Sequence, residues 1–299
     1  MREKGGVQVL RYEEPVFRPP SEARSLILQA TVGCSHNRCT FCSMYKGKRF
    51  RVRPLEEVKR EIEWAAKEYP FVKRVFIADG DPMVLDTGHL TEILKELYSH
   101  LPALERVAIY ATPQNLLEKS PEELATLRNE GLQMVYLGIE SGDDQVLAET
   151  RKGVDSRQMV EACRKAINAG FTLSTMVILG LGGKERFREH ITNTARVVNE
   201  IDPHYLAALT LMVFPKTILH QRVKTGRFSM PTMRQIMEEM AMLVGMVEVK
   251  TVFRSNHVSN LLPIGGTLPR DREEVLRKIK EAMHLTPDTP LPIEYQGAF

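Results

Sequence analysis

One short stretch near the start of the chain constrains the protein more than any other. Residues 31–45 run Thr-Val-Gly-Cys-Ser-His-Asn-Arg-Cys-Thr-Phe-Cys-Ser-Met-Tyr and hold three of the four cysteines, Cys34, Cys39 and Cys42. Their spacing is Cys-x4-Cys-x2-Cys. An apolar run over residues 26–32 precedes them and predicts a buried strand. We therefore expect the three thiols on a loop that directly follows a strand.

Three clustered thiols can serve several kinds of site. A structural zinc ion takes four ligands, and His36 could supply the fourth. Disulfide bonding would leave one of the three thiols unpaired. An iron–sulfur cube normally takes four thiolates, so a cube held by three keeps one iron open for chemistry. The tight spacing favours a metal site over unrelated buried thiols, and a zinc-binding protein remains an alternative.

Composition sets outer limits on the function. The 299 residues suit one barrel-sized domain or two smaller ones, and a hydrophobic content of 43% is enough for a sizeable core. A net charge of +3 gives no reason to expect nucleic acid as a partner. No run approaches the ~18 apolar residues of a membrane span, and the first six residues do not resemble a signal peptide.

Cysteine usage points to a reducing compartment, so we expect a cytoplasmic protein. The fourth cysteine, Cys163, lies in a helical pattern, and we interpret it as a small buried apolar residue. One spare cysteine cannot hold a second cluster.

Apolar patterns alternate along most of the chain. Strands are predicted at residues 26–32, 71–78, 106–111, 133–139, 171–179 and 204–213. Helices are predicted at residues 54–67, 89–100, 120–130, 156–169 and 184–200. Such alternation with short links predicts parallel strands and right-handed crossovers. Six units predict an α/β fold, a partial (βα)6 TIM-like barrel, and a flat doubly wound sheet is the alternative.

The alternating region defines the expected domain organisation. Residues 1–24 are predicted to form an extended N-terminal extension, and residues 25–217 the barrel core. Residues 218–299 form a helical and irregular C-terminal extension that would cap the open side. Helices are predicted at 231–247, where a methionine stripe indicates core packing with a flexible substrate wall as the alternative, and at 271–284. The last fifteen residues are expected to be irregular.

The residues after each predicted strand share a polar or glycine-rich character. In parallel barrels the site lies at the carboxyl ends of the strands, so we expect these segments to line one rim. The segments are the cysteine loop, Asp79-Gly80-Asp81-Pro82, Thr112-Pro-Gln-Asn115, Glu140-Ser141-Gly-Asp143, Gly180-Leu181-Gly-Gly183 and Phe214-Pro-Lys-Thr217.

Two further segments have open interpretations. Residues 46–53 contain five basic residues, which form either a solvated loop or a segment in which one or two of the arginines face a carboxylate or an anionic substrate near the cluster. Residues 252–267 place polar side chains, including His257, in an apolar stretch. That stretch is either a hydrogen-bond network holding the tail or a loop that reaches the substrate with His257 as acid or base.

At the cysteine loop the sequence resembles the radical S-adenosylmethionine (radical SAM) superfamily, whose usual signature is Cys-x3-Cys-x-aromatic-Cys. Phe41 supplies the aromatic residue, and the first gap is one residue longer, which would define a Cys-x4-Cys-x2-Cys subgroup. The stretch Asp79-Gly80-Asp81-Pro82 resembles the family's Gly-Gly-Glu-Pro, where backbone groups hold the methionine amine of SAM.

The later rim segments extend the resemblance. Glu140 and Ser141 match polar residues near the ribose and methionine end of SAM, and Lys152 stands where a basic residue meets the SAM carboxylate. Gly180 and Leu181 lie in the segment that would approach the adenine, and Thr112 is a further expected SAM contact.

The resemblance implies a specific chemistry and specific partners. The three cysteines would hold one 4Fe–4S cluster, and SAM would chelate the open iron. Reductive cleavage would give a 5′-deoxyadenosyl radical that abstracts hydrogen from an unknown small or medium substrate. A flavodoxin- or ferredoxin-type donor would supply the electron. A non-catalytic carrier of a heme-like cofactor on the same fold is the alternative.

Overall fold

The structure is a computed structural model that describes residues 10–292. The described residues divide into two compact units. The first comprises residues 10–37, 44–135 and 169–171, and the second comprises 38–43, 136–168 and 172–292. Strand β6 (Leu132–Glu140) contributes its first residues to one unit and its last residues to the other.

The first unit is a parallel sheet with helices. Its other strands are β1 (Leu26–Gln29), β2 (Thr31–Val32), β3 (Arg51–Val52), β4 (Arg74–Ala78) and β5 (Arg106–Ala111). Its helices are α1 (Leu55–Glu68), α2 (Thr87–His100), α3 (Pro113–Glu118) and α4 (Pro121–Asn129). The strand order is β1-β4-β5-β6, and both β1–β4 and β4–β5 are parallel. Strands β2 and β3 form a separate antiparallel pair.

The second unit continues the same alternation. Its other strands are β7 (Thr172–Leu179), β8 (Tyr205–Thr210), β9 (Thr251–Ser255) and β10 (Ile264–Leu268). Its helices are α5 (Asp144–Glu149), α6 (Ser156–Asn168), α7 (Phe187–Ile201), α8 (Ile218–Lys224), α9 (Met233–Met246) and α10 (Arg272–Leu285). The order is β6-β7-β8-β9-β10. Strands β7, β8 and β9 are parallel, and β10 is antiparallel to β9.

The strand order tests the two predicted sheet types. In both units the strands follow one another in chain order once the small β2–β3 pair is set aside. A doubly wound sheet requires a point where the order reverses, and the described strands contain none. The predicted α/β fold with parallel strands is therefore confirmed, and the doubly wound alternative is wrong.

Amphipathic patterns explain why the helices form and which face they bury. In α1, Val58, Ile62 and Ala65 recur at helical spacing and are buried. In α9, Met237, Met240 and Val244 are buried, which confirms that the methionine stripe packs in the core. None of the helices in residues 10–292 has the length and apolar content needed to span a bilayer.

Two sequence predictions need correction. The run at residues 26–32 is two strands, because Ala30 donates its N–H to Ala78 and accepts the N–H of Arg53, so the chain leaves the main sheet there. Residues 252–267 contain β9 and β10, so the sheet has eight strands rather than six. Strand β9 was not predicted because Arg254 interrupts the apolar pattern. Arg254 is the exposed residue of a strand whose side chains alternate in burial.

Short helices were also missed. Three helices of six or seven residues, α3, α5 and α8, begin at side-chain caps Thr112, Asp143 and Thr217. Helix α7 begins at Phe187 rather than at residue 184, because turns occupy the preceding residues. Predictions for residues 1–9 and 293–299 lie outside the described residues.

Candidate cofactor site

Strand register gathers the predicted rim segments within each unit. In the first unit Gln29 pairs with Ala78, and in the second Leu179 pairs with Thr210. The carboxyl ends of paired parallel strands therefore lie at one edge of each unit. The segments that follow these strands start from that edge.

Asp79, the first residue after β4, is completely buried. Its Oδ2 accepts hydrogen bonds from the N–H of Gly33 at 3.0 Å, from Gln29 Nε2 at 3.1 Å and from Lys48 Nζ at 2.8 Å. Its Oδ1 has no hydrogen-bond partner among residues 10–292. The Asp79 side chain therefore holds the start of the cysteine loop in place.

Two cations of the basic run 46–53 are buried rather than solvated. Lys48 Nζ donates to Asp79 and to the carbonyl oxygens of Glu13 and Pro15. Arg53 forms a two-pronged ion pair with Glu61 at 2.8 and 2.9 Å. The interpretation as a purely solvated loop is therefore wrong for these two residues.

Gly80 lies directly against the cysteine loop. Its N–H donates to the carbonyl of Gly33 at 3.0 Å. A Cβ on Gly80 would come within 2.7 Å of Cys34 Cβ and 2.8 Å of the Tyr45 ring. Only glycine allows this approach, which gives a physical reason for the residue at this position.

Asp81 fixes the turn that carries Cys34. Its carboxylate is buried and accepts the N–H of Ser35 at 2.8 Å and the Ser35 hydroxyl. Burial raises the pKa of Asp81, although hydrogen bonds from Ser35, the Cys34 thiol and the His36 N–H oppose the shift. Thr112, the remaining predicted SAM contact of this unit, caps α3 by accepting the N–H of Asn115 at 3.3 Å.

Cys39, Phe41 and Cys42 lie in a segment of the second unit that is held by its middle residue. The N–H of Thr40 donates to the carbonyl of Thr150 at 2.9 Å, and its own carbonyl accepts the N–H of Leu219 at 3.0 Å. Thr40 is buried. The backbone beside both cysteines is therefore fixed at the ends of α5 and α8.

The chemistry of the donor set fits an iron–sulfur cluster. All three loop cysteines are partly exposed, and none forms a disulfide with another described residue. Across residues 10–292, no group of three or more His, Cys, Asp or Glu side chains is already arranged to hold a metal ion. The support for a cluster is thus the set of accessible thiols on an anchored loop.

The segment after β6 contains a partly buried ion pair. Lys152 Nζ lies 3.0 Å from Glu140 Oε1, and Glu140 has a positive φ of 63°. Lys152, predicted to meet the SAM carboxylate, is therefore paired with a protein carboxylate here. Its role toward SAM stays a prediction.

Ser141 belongs to a buried neutral network. Its hydroxyl lies 2.8 Å from His190 Nδ1 and accepts the N–H of Asp143 at 3.0 Å. His190 Nε2 lies 3.0 Å from the Ile178 carbonyl, so Nε2 carries the proton and Nδ1 accepts from Ser141. Burial lowers the pKa of His190 to about 4, so the ring is neutral at pH 7.

The loop after β7 is held by an acid from α9. Gly180 has a φ of +87°, and its N–H donates to Glu239 Oε2 at 2.6 Å. Glu239 is completely buried, its Oε1 has no partner in the described part of the chain, and burial raises its pKa well above the usual value. A Cβ on Gly180 would meet Ile236 of the same helix at 2.7 Å. Leu181, the neighbouring predicted contact, is buried.

The turn between β9 and β10 is fastened to the end of β8. Ser259 Oγ accepts the N–H of Thr210 at 3.1 Å, and Asn260 bonds both Thr210 Oγ1 and the Ala208 carbonyl. The predicted hydrogen-bond network is confirmed. His257 is half-buried with Nδ1 2.8 Å from Ser259 Oγ, and burial lowers its pKa. Its role as acid or base stays a prediction.

Three side chains that hold these loops in place were not predicted from the sequence: Lys48, Glu239 and His190. The available signal for Glu239 was a carboxylate on the apolar face of α9, three residues after buried Ile236 and four before buried Leu243. Lys48 carried no such signal, because its partner Asp79 is 31 residues away.

Comparison with known protein families identifies the class of protein to which the chain belongs. The chain matches the radical SAM superfamily over residues 28–196, more than half of its length, and it belongs to that family. Members of this superfamily use a 4Fe–4S cluster and S-adenosylmethionine. The prediction of these two cofactors is therefore confirmed.

Individual relatives are more distant. The chain is 23% identical over 240 residues to the heme chaperone HemW of Bacillus subtilis, covering 78% of this chain and 62% of that protein. It is 25% identical over 194 residues to tRNA-2-methylthio-N(6)-dimethylallyladenosine synthase of Bordetella petrii, covering 61% and 39%. The chain thus spans less than two thirds of either relative.

A solved structure confirms the fold. Archaeal Elp3 of Methanocaldococcus infernus matches with a TM-score of 0.54 at 16% identity, covering 86% of this chain and 63% of that one. The predicted partial barrel of the radical SAM superfamily is thereby confirmed.

Proposed function

We propose that the chain is a radical SAM enzyme acting on a small or medium-sized substrate. When bound, the cluster and SAM supply reductive cleavage of the sulfonium and a 5′-deoxyadenosyl radical that abstracts hydrogen. The observation that carries the proposal is the family match, because residues 28–196 include Cys34, Cys39 and Cys42 together with the loops after β4, β6 and β7.

In this proposal the three cysteines bind the cluster and leave one iron for SAM. The proposed SAM contacts are Phe41, Asp79, Gly80, Asp81, Thr112, Glu140, Ser141, Lys152, Gly180 and Leu181. The side chains of Asp79, Asp81 and Ser141 are engaged internally, which supports a role in positioning backbone groups. At Gly80 and Gly180 neighbouring protein atoms leave no room for a Cβ, so each loop packs closely at its glycine.

The tail is proposed to complete the core formed by residues 25–217. Glu239 of α9 binds Gly180, and Asn260 binds the end of β8, so residues beyond 218 support two strand-end segments. This supports residues 218–299 as a cap that shields the chemistry from water. His257 is proposed as an acid or base, and a one-electron donor is a required partner.

The test is SAM cleavage by the anaerobically reconstituted full chain with dithionite. We expect 5′-deoxyadenosine and methionine to accumulate, as measured by liquid chromatography and mass spectrometry. The Cys39→Ala variant should give only background. A wild-type chain that holds its cluster and binds SAM without forming 5′-deoxyadenosine would contradict an enzymatic function.

A heme-type carrier is the second candidate, favoured by the similarity to HemW. Titration with hemin separates the two. Stoichiometric heme binding, seen as a Soret band, together with absent SAM cleavage would favour the carrier. Cleavage without stable heme binding would favour the enzyme. Membership of the radical SAM superfamily supports an iron–sulfur cluster at the three cysteines rather than a zinc site.

A further inference from the structure

The segment from Pro203 to Met237 carries five basic residues and no acidic residue. Four of the five lie on α8 or within three residues of it, and three of these, Lys216, Lys224 and Arg227, are exposed. Within residues 10–292, none of the three forms an ion pair with a carboxylate. We call these three side chains the basic surface.

The basic surface adjoins the segment that holds two of the cysteines. The N–H of Leu219, in the first turn of α8, donates to the carbonyl of Thr40 at 3.0 Å. Thr40 directly follows Cys39 and precedes Cys42 by two positions. Helix α8 is therefore fixed against the backbone between those two thiols.

A surface cavity of about 180 Å³ links α8 to that backbone, with Thr40, Leu219, Arg222 and Arg227 among its lining residues. Arg222 is paired with Glu149 at 2.5 Å, and the hydrogen bond from Arg222 lowers the pKa of Glu149. The cavity is therefore lined both by Thr40 of the cysteine loop and by the arginines Arg222 and Arg227.

The remaining charges of the cavity are nearly balanced. Arg186 also lines it and forms two hydrogen bonds with Asp143 at 3.0 and 2.9 Å. Glu149, which is paired with Arg222, and Glu185 are the exposed acidic side chains of this lining. Arg227 and the neighbouring Lys216 and Lys224 therefore leave this face with an excess of positive charge.

We propose that the basic surface and its cavity dock an acidic one-electron carrier of flavodoxin type that reduces the cluster. The inference rests on the proposed function, since only a chain with a reducible cluster requires such a carrier. One electron leaves the reduced flavin, which is oxidised, and enters the cluster, which goes from 2+ to 1+. No bond is made or broken.

Physical considerations favour this occupant. Redox encounters use small interfaces, below about 1,200 Å², so a few exposed cations around one cavity are sufficient. Charge complementarity raises association rates by roughly 10- to 1,000-fold and is lost at high salt. Docking beside Thr40 brings the carrier to the backbone that holds Cys39 and Cys42, which shortens the electron path.

The experiment compares the wild-type holoprotein with the variant Lys216→Glu/Lys224→Glu/Arg227→Glu. Photoreduced flavodoxin is mixed with each in stopped flow, and cluster absorbance near 400 nm reports reduction. At low salt we expect the second-order rate constant to fall at least ~10-fold in the variant, with the wild-type salt dependence largely lost. Reduction by dithionite should change less than ~2-fold, since it needs no docked protein.

A matched control separates docking from net charge. Arg157→Glu/Arg164→Glu/Lys250→Glu changes the net charge equally at exposed cations elsewhere in the second unit. It should retain most of the wild-type rate. Flavodoxin binding to the cluster-free chain, measured by calorimetry, should weaken only in the first variant.

Several outcomes would overturn the inference. Equal slowing in both variants would show a net-charge effect, and an unchanged rate in the first variant would exclude docking there. Loss of tRNA binding with unchanged flavodoxin binding would assign the surface to nucleic acid. If the wild-type chain holds no reducible cluster, the proposed function is wrong. The docking proposal is then tested by flavodoxin binding to the cluster-free chain alone.

Discussion

Two loops of this protein follow parallel strands, and each depends on a buried carboxylate, yet the carboxylates are held differently. After β4, Asp79 is paired with Lys48 at 2.8 Å. After β7, Gly180 is held by Glu239, whose pKa is raised by burial and whose carboxyl group bonds to a backbone N–H rather than to a cation. The first loop depends on an ion pair, and the second depends on a hydrogen bond to a buried carboxyl group.

The largest effect is expected from breaking the charge balance. Lys48→Met leaves Asp79 as a buried carboxylate without its cation, which should lower the free energy of unfolding by about 3–5 kcal/mol. Denaturant unfolding measures it. Lys46→Met, at an exposed neighbour, should change the free energy by less than ~0.5 kcal/mol.

A second variant keeps this prediction testable if Lys48→Met fails to fold. Lys48→Met/Asp79→Asn removes both charges, so it should recover much of the loss. A double variant no more stable than the single one would show that Lys48 does not act by balancing Asp79.

The next effect concerns the shape of the first loop. Gly80→Ala places a Cβ 2.7 Å from Cys34 Cβ, so we expect about 1–3 kcal/mol of destabilisation and reduced iron after reconstitution. Gly47→Ala is the matched control in the same unit, because, apart from Gly47 and its two chain neighbours, no described residue has an atom within 4 Å of the position that its Cβ would take. Equal iron contents in both variants would contradict the close packing of Gly80 on the cysteine loop.

The second loop is tested by removing the hydrogen bond of Glu239. Glu239→Leu leaves the buried N–H of Gly180 without a partner, which should cost about 1–3 kcal/mol. Glu239→Gln keeps an acceptor at the same place and should retain the loop. Equal losses in the two variants would show that the bond to Gly180 is unimportant.

The same residue gives a pH dependence with a definite sign. The pKa of Glu239 is higher in the folded chain than in the unfolded one, so its stabilising contribution is present below pH ~4.5 and declines as pH rises towards the folded pKa. Relative to wild type, Glu239→Gln should therefore gain stability from pH 4 to pH 7. Parallel pH profiles for the two proteins would contradict a neutral Glu239.

The smallest effect is expected at the neutral network of Ser141. Ser141→Ala removes the acceptor of the Asp143 N–H and the partner of His190, which should cost about 1 kcal/mol. Ser99→Ala on the exposed face of α2 should be nearly neutral. A loss as large as that of Lys48→Met would show that the second unit is no less sensitive than the first.

The sequence predicted the parts of the site that are local. Cys34, Cys39 and Cys42 lie within nine positions, and the strand-end glycines follow apolar runs, so motif and period identify them. The supports are not local. Lys48 reaches Asp79 across 31 positions, and Glu239 reaches Gly180 across 59, and no periodicity encodes such pairings.

The most direct test of the account is the iron and sulfide content of three reconstituted chains. We expect about four irons and four sulfides per chain for the wild type. Cys163→Ala should match it, because Cys163 is buried and burial raises the pKa of its thiol to about 12. Cys39→Ala should lose the cluster. A Cys39→Ala chain with a full cluster, or a Cys163→Ala chain without one, would contradict the assignment of the three loop cysteines.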